Sequence, residues 1–142
     1  MTLTRELVLV HLHAGGFAMA LLVVVNLFVP SRFHWRDEMS RLSLVNRQIF
    51  QVHTIFLVLT LGLFAALLLT CAAALLEPTR LSRAVLIGLT IFWAIRMVFQ
   101  WFFYSSALWR GHRFNTFVHY AFSALWVYLT AVFATALWMN LH

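Results

Sequence analysis

Four long apolar runs, Leu7 to Val29, Ile49 to Leu76, Leu81 to Tyr104 and Phe114 to Leu141, decide most of what this chain can become. Each holds the roughly 20 residues that a helix needs to cross about 30 Å of hydrocarbon. Pro30, Glu77-Pro78 and Arg110-Gly111 punctuate them. The expected fold is an all-α integral membrane protein, a single domain over residues 1–142 folded as an up-down-up-down four-helix transmembrane bundle. The first run is longer than the roughly 7 to 15 apolar residues of a signal peptide and carries His11 and His13, so it reads as retained.

Composition agrees, with 63% hydrophobic and 10% charged residues, where soluble domains carry about a quarter charged. Outside the runs too little chain remains for a second domain. A separate soluble catalytic domain is therefore excluded, and any activity sits in the helices or their short loops. The formal charge of +6 comes from ten arginines, nearly all beside apolar runs. That placement suits anchoring at lipid headgroups rather than binding nucleic acid. Cys71 is the only cysteine, which removes an intrachain disulfide, a CxxC centre and a thiolate zinc site.

The arginines also orient the chain. Arg32, Arg36, Arg41, Arg47, Arg110 and Arg113 fall on one side of the expected bundle, against Arg5, Arg80 and Arg83 on the other. By the positive-inside rule the first side faces the cytoplasm and both termini lie outside it. Close helix approach in lipid depends on small residues. Ala14-Gly15-Gly16, with Ala18 and Ala20, is expected to pack on Ala72-Ala73-Ala74 of the antiparallel second span. The same helices carry Phe28, Phe50 and Phe56 toward the cytoplasm, which predicts a wider opening there.

Polar side chains within a membrane span are costly and usually turn inward. Here they share helix faces: Trp93, Arg96, Met97, Gln100 and Tyr104 in the third span, and Asn115, His119, Ser123, Trp126 and Thr130 in the fourth. The second span offers Asn46, Phe50, His53, Leu57 and Thr60, and the first His11, Gly15, Leu22 and Asn26. Each of these faces is expected to point at the bundle axis. His53 and His119 each follow an arginine, Arg47 or Arg113, by six residues, which sets both about 9 Å below those arginines. Arg47, Val52, His53 and Phe56 recur as Arg113, Val118, His119 and Phe122. A polar cluster near the cytoplasmic surface is the result.

Its sharpest reading is a b-type haem ligated by His53 and His119, with Arg96, Arg47 or Arg113 pairing the propionates and Gln100 on the same face. Two imidazoles at equal depth on facing helices can clamp a porphyrin, and bundle cores are where such sites form. A non-haem metal is the second version, held by His53 and His119 with His34 or His112 and a carboxylate from Asp37 or Glu38. Arg96 stands apart because no Asp or Glu lies in any of the four runs. It is expected to meet an anion: a lipid phosphate, a substrate carboxylate or a propionate. Against these stands a non-enzymatic reading, in which the polar groups only hold helices together and the chain is an accessory subunit of a membrane complex, a homo-oligomer or a lipid-anion-binding protein.

No catalytic motif is present, and a proton path has nothing to run on above Thr60 except Thr70 and Cys71. The stretches Arg-Gln-Ile-Phe-x-Val-His and Phe-Trp-Ala-Ile-Arg-Met-Val-Phe-Gln resemble those of small bacterial four-helix proteins of unassigned activity, a resemblance that carries no chemistry. The expected location is a bacterial inner membrane.

Overall fold

Leu, Ala, Val, Ile and Phe fill the four apolar runs, and a helix is the structure that lets each satisfy its own backbone without water. The computed structural model describes residues 2–32, 35–105 and 112–142. Among them all regular structure is helical: α1 (Thr2–Arg32), α2 (Trp35–Ser40), α3 (Leu44–Thr70), α4 (Ala72–Leu75), α5 (Arg80–Phe102) and α6 (Arg113–Leu141). Four segments are long and apolar enough to span a membrane: Leu3–Phe28, Leu44–Thr70, Arg80–Phe102 and Arg113–Leu141. The second stops at Thr70, short of the expected Leu76, because the backbone leaves the helix at Cys71.

The chain forms two compact units, one of Met1–Leu12 with Ala73–His142 and one of His13–Ala72. In the first, α5 and α6 are antiparallel neighbours. Arg83 meets Asn140, Trp93 meets Trp126 and Gln100 meets His119, so partners run in opposite order along the two helices. Leu86, Leu89 and Trp93 from α5 and Trp126, Leu129, Phe133 and Ala136 from α6 are buried at i, i+3, i+7 spacing, which makes a continuous apolar seam. A capping box opens α5: Thr79 Oγ1 accepts the Ser82 N–H and Ser82 Oγ accepts the Thr79 N–H.

Asn140, 2% exposed, ties this end together. Its Nδ2 donates to the carbonyls of Leu75 and Glu77 and to Ser82 Oγ, and its Oδ1 accepts from Arg83 Nε at 3.0 Å. The carbonyls left over where α4 ends thus find donors on α6. Arg5 adds an exposed ion pair to Glu77.

In the second unit α1 and α3 are antiparallel: Gly16 lies against Leu68 and Leu69, and Val23 against Gly62. A Cβ at Gly16 would come within 3.0 Å of Leu68 Cβ, so this is a close approach that glycine permits. It falls one turn before the Ala72-Ala73-Ala74 stretch expected from the sequence, because α3 ends at Thr70 and Ala73 and Ala74 belong to the other unit. Ser43 caps α3 by accepting the Asn46 N–H, and Trp35 of α2 sets its ring edge-on to Phe50, centroids 5.0 Å apart.

Candidate functional site

The polar face expected on α5 is present. Trp93 and Gln100 are buried, Arg96 and Met97 half-buried, and Tyr104 is exposed just beyond the helix. The facing side of α6 buries Ser123 and Trp126 and half-buries Asn115, His119 and Thr130. Both faces are spaced for a helix, and the antiparallel pairing brings them together.

At the centre is an indole. Trp126 stacks on Trp93, with centroids 5.0 Å apart and planes 22° apart, and on Phe122 at 5.4 Å and 16°. Its Nε1–H donates to Gln100 Oε1 at 3.2 Å. Indole nitrogen only donates, so this bond fixes which end of the Gln100 amide is oxygen. The Gln100 Nε2 group, 2.9 Å from His119 Nδ1, must then be the donor. His119 accepts at Nδ1 and carries its ring proton on Nε2. Ser123 Oγ donates to the His119 carbonyl at 2.8 Å and fastens the same turn.

His53 is set the other way. Its Nδ1 lies 2.8 Å from the Ile49 carbonyl, which can only accept, so Nδ1 carries a proton and the lone pair of the neutral ring is on Nε2. His53 is exposed, and so are Asn46, Phe50 and Leu57 of its expected inward face. That expectation is corrected: α3 buries Leu61, Ala65 and Leu68 instead. The polar groups here need no inward partner, since Thr54 and Thr60 donate to the carbonyls of Phe50 and Phe56 and His53 uses that of Ile49.

Arg96 has an unusual set of neighbours. Its guanidinium carbon lies 4.9 Å from the Trp126 ring centroid and 5.9 Å from that of Tyr104. It makes no hydrogen bond and no ion pair with any described residue. One turn earlier, the Trp93 Nε1–H is fully enclosed and meets no acceptor among the described residues. A shallow groove of about 600 Å³ follows α6 past Trp101, His119, Tyr120 and Tyr128.

No described protein family, curated protein or solved structure matches this chain. The site's chemistry alone carries the functional argument.

The remaining expected site residues are dispersed. Arg47 is half-buried in the first turn of α3, and Arg113 and His112 are exposed at the start of α6, beside a surface depression of about 490 Å³ shared with Thr116, Phe117 and Tyr120. His34 lies outside the described residues. Asp37 and Glu38 are exposed on α2. No three His, Cys, Asp or Glu side chains converge among the described residues. The structure brings together His119, Gln100, Trp126, Trp93 and Arg96, all within one unit, while His53 belongs to the other.

Two polar pairings have no counterpart in the sequence reading. His11 gains a partner in Tyr128, Nδ1 to hydroxyl at 3.0 Å, and Asn140 gathers the 75–83 turn. Antiparallel pairing of the third and fourth runs places Asn140 near Arg83, but nothing in the run pattern marks the Leu75 and Glu77 carbonyls as its acceptors.

Proposed function

We propose that this chain is an integral membrane protein whose four long helices cross the bilayer up-down-up-down, with both termini outside the cytoplasm, and that it binds an oxyanion at Arg96. The observation that carries the reading is the guanidinium itself, held on aromatic rings and without an acceptor among the described residues. A charged guanidinium in apolar surroundings is unfavourable by several kcal/mol. Cation–π contact with Trp126 and Tyr104 offsets about 0.5–2 kcal/mol of this, but rings do not accept along the N–H edge. The five edge donors suit a carboxylate or phosphate, which Arg binds with two parallel hydrogen bonds. Binding without chemistry is what these residues support, in a protein acting alone, as a homo-oligomer or as a subunit of a membrane complex.

The test is thermal unfolding of the detergent-purified protein with inorganic phosphate, decanoate and dodecyl phosphate. A ligand that binds only the folded state raises the midpoint with its concentration. At least one anion should do so for the wild type, less for Arg96→Lys and not at all for Arg96→Gln. Equal shifts in wild type and Arg96→Gln, or no shift with any anion, would sink the reading.

A haem b held by His53 and His119, with a propionate on Arg96, is the second reading, favoured by the lone pair that His53 keeps on Nε2. His119 argues the other way. For its Nε2 to ligate iron the Gln100 amide must turn over, and Trp126 then loses its acceptor. A dithionite-reduced spectrum with sharp α and β bands, abolished by His53→Ala, would put haem first; a colourless protein with stoichiometric metal would favour a non-haem site on the same histidines.

A further inference from the structure

We infer that the oxyanion at Arg96 is the phosphate of a membrane phospholipid with a net negative headgroup, taken from the leaflet at the C-terminal end of α5. This rests on the oxyanion reading above and names its source. The first argument is direction. Tyr104 lies eight residues beyond Arg96, past the C-terminal end of α5, and its ring centroid is 5.9 Å from the guanidinium carbon. The guanidinium thus has within reach a ring from beyond the end of α5, the end toward which long basic side chains extend when their backbone lies below the headgroups.

The second argument is what borders it. Ile95 and Phe99, each 51% exposed, and Phe103, 73% exposed, flank Arg96 on the helix surface. Gly88 continues the stripe at i−7 from Ile95, with nothing within 4 Å of where its Cβ would be. One cation thus sits beside an exposed apolar stripe. A water-soluble anion would have to reach the cation past that apolar surface, whereas a phospholipid matches both features: phosphate on Arg96 beside Tyr104, acyl chains along Phe99, Ile95 and Gly88. A zwitterionic headgroup carries its own ammonium to compete for the phosphate, so a net negative one binds better.

Native mass spectrometry of the full chain, released from nanodiscs containing phosphatidylglycerol and phosphatidylcholine, tests this. The wild type is expected to keep a single phosphatidylglycerol in preference to phosphatidylcholine, Arg96→Lys to keep less, and Arg96→Gln to lose it. Phe99→Ser should weaken retention of the lipid while leaving any response to inorganic phosphate unchanged. Should Arg96→Gln fail to fold, displacement of the retained lipid from the wild type by phosphatidylglycerol of a different chain length, but not by free glycerol phosphate, gives an independent measure. Free glycerol phosphate binding as well as the lipid would overturn the lipid assignment and leave the oxyanion reading standing. Phosphatidylglycerol retained equally by Arg96→Gln would overturn the inference, and the absence of any anion-linked stabilisation would remove both.

Discussion

His119 accepts at Nδ1 an amide N–H of Gln100, 2.9 Å away, and so carries its own ring proton on Nε2. The indole of Trp126 enforces this from the far side of the amide by occupying the oxygen. Gln100→Leu is therefore expected to strand the Trp126 N–H and free His119 to exchange tautomers. Leaving a buried donor unpaired costs about 1–3 kcal/mol, read as a lower unfolding midpoint. Nitrogen NMR of the His119 ring should change from a single Nε2-protonated form to a mixture; an unchanged ring spectrum would show that Gln100 does not set the tautomer. If the protein binds haem, the same substitution should tighten it.

The two histidines should respond differently to deletion. His53 is exposed and bonds only within its own helix, so His53→Ala is expected to shift stability by no more than about 0.5 kcal/mol. His119→Ala removes the acceptor of the buried Gln100 amide and should cost about 1–3 kcal/mol. Circular-dichroism melts of both variants in one detergent make the comparison, and equal losses would contradict it.

Asn140→Ala removes three donated bonds and the acceptor for Arg83 at once. Individual interhelical hydrogen bonds in membranes average about 0.6 kcal/mol, so a loss of about 1–3 kcal/mol is expected. Arg5→Ala, breaking an exposed ion pair at the same end, should change stability by less than about 1 kcal/mol. A melt in which Arg5→Ala proves the more damaging would reverse this assignment.

Glycine substitutions separate packing from propensity. At Gly16 an added Cβ meets Leu68 Cβ and Leu69 Cγ at 3.0 Å, and Gly16→Ala should destabilise by about 1–3 kcal/mol through overpacking. At Gly88 nothing lies within 4 Å, and Gly88→Ala should be neutral or gain up to about 1 kcal/mol of helix propensity. A loss at Gly16 with no loss at Gly88 is the expected outcome of the two melts.

Much of this was legible in residue spacing. The four helices follow from run length, and the paired faces of α5 and α6 from a 3.6-residue period applied to Trp93, Arg96, Gln100, His119, Ser123 and Trp126. Period failed on α3. His53, Asn46 and Phe50 share a face there, yet Thr and His side chains can satisfy themselves on carbonyls one turn back, so a polar face need not be an inner one. The His11–Tyr128 and Asn140 pairings were hidden for a different reason. They join residues 117 and 58 positions apart, and no local pattern reports which distant backbone will lack a partner.

The tie made by Asn140 also sets an order of events. The turn it secures is synthesised well before Asn140 itself, which follows Ser82 by 58 residues. Until the ribosome delivers the end of α6, the Leu75 carbonyl lacks its Asn140 donor and the Glu77 carbonyl has only the local donors Thr79 N–H and Ser82 Oγ. A nascent chain stalled before that point carries the 75–83 turn without this tie, and a single late asparagine supplies it.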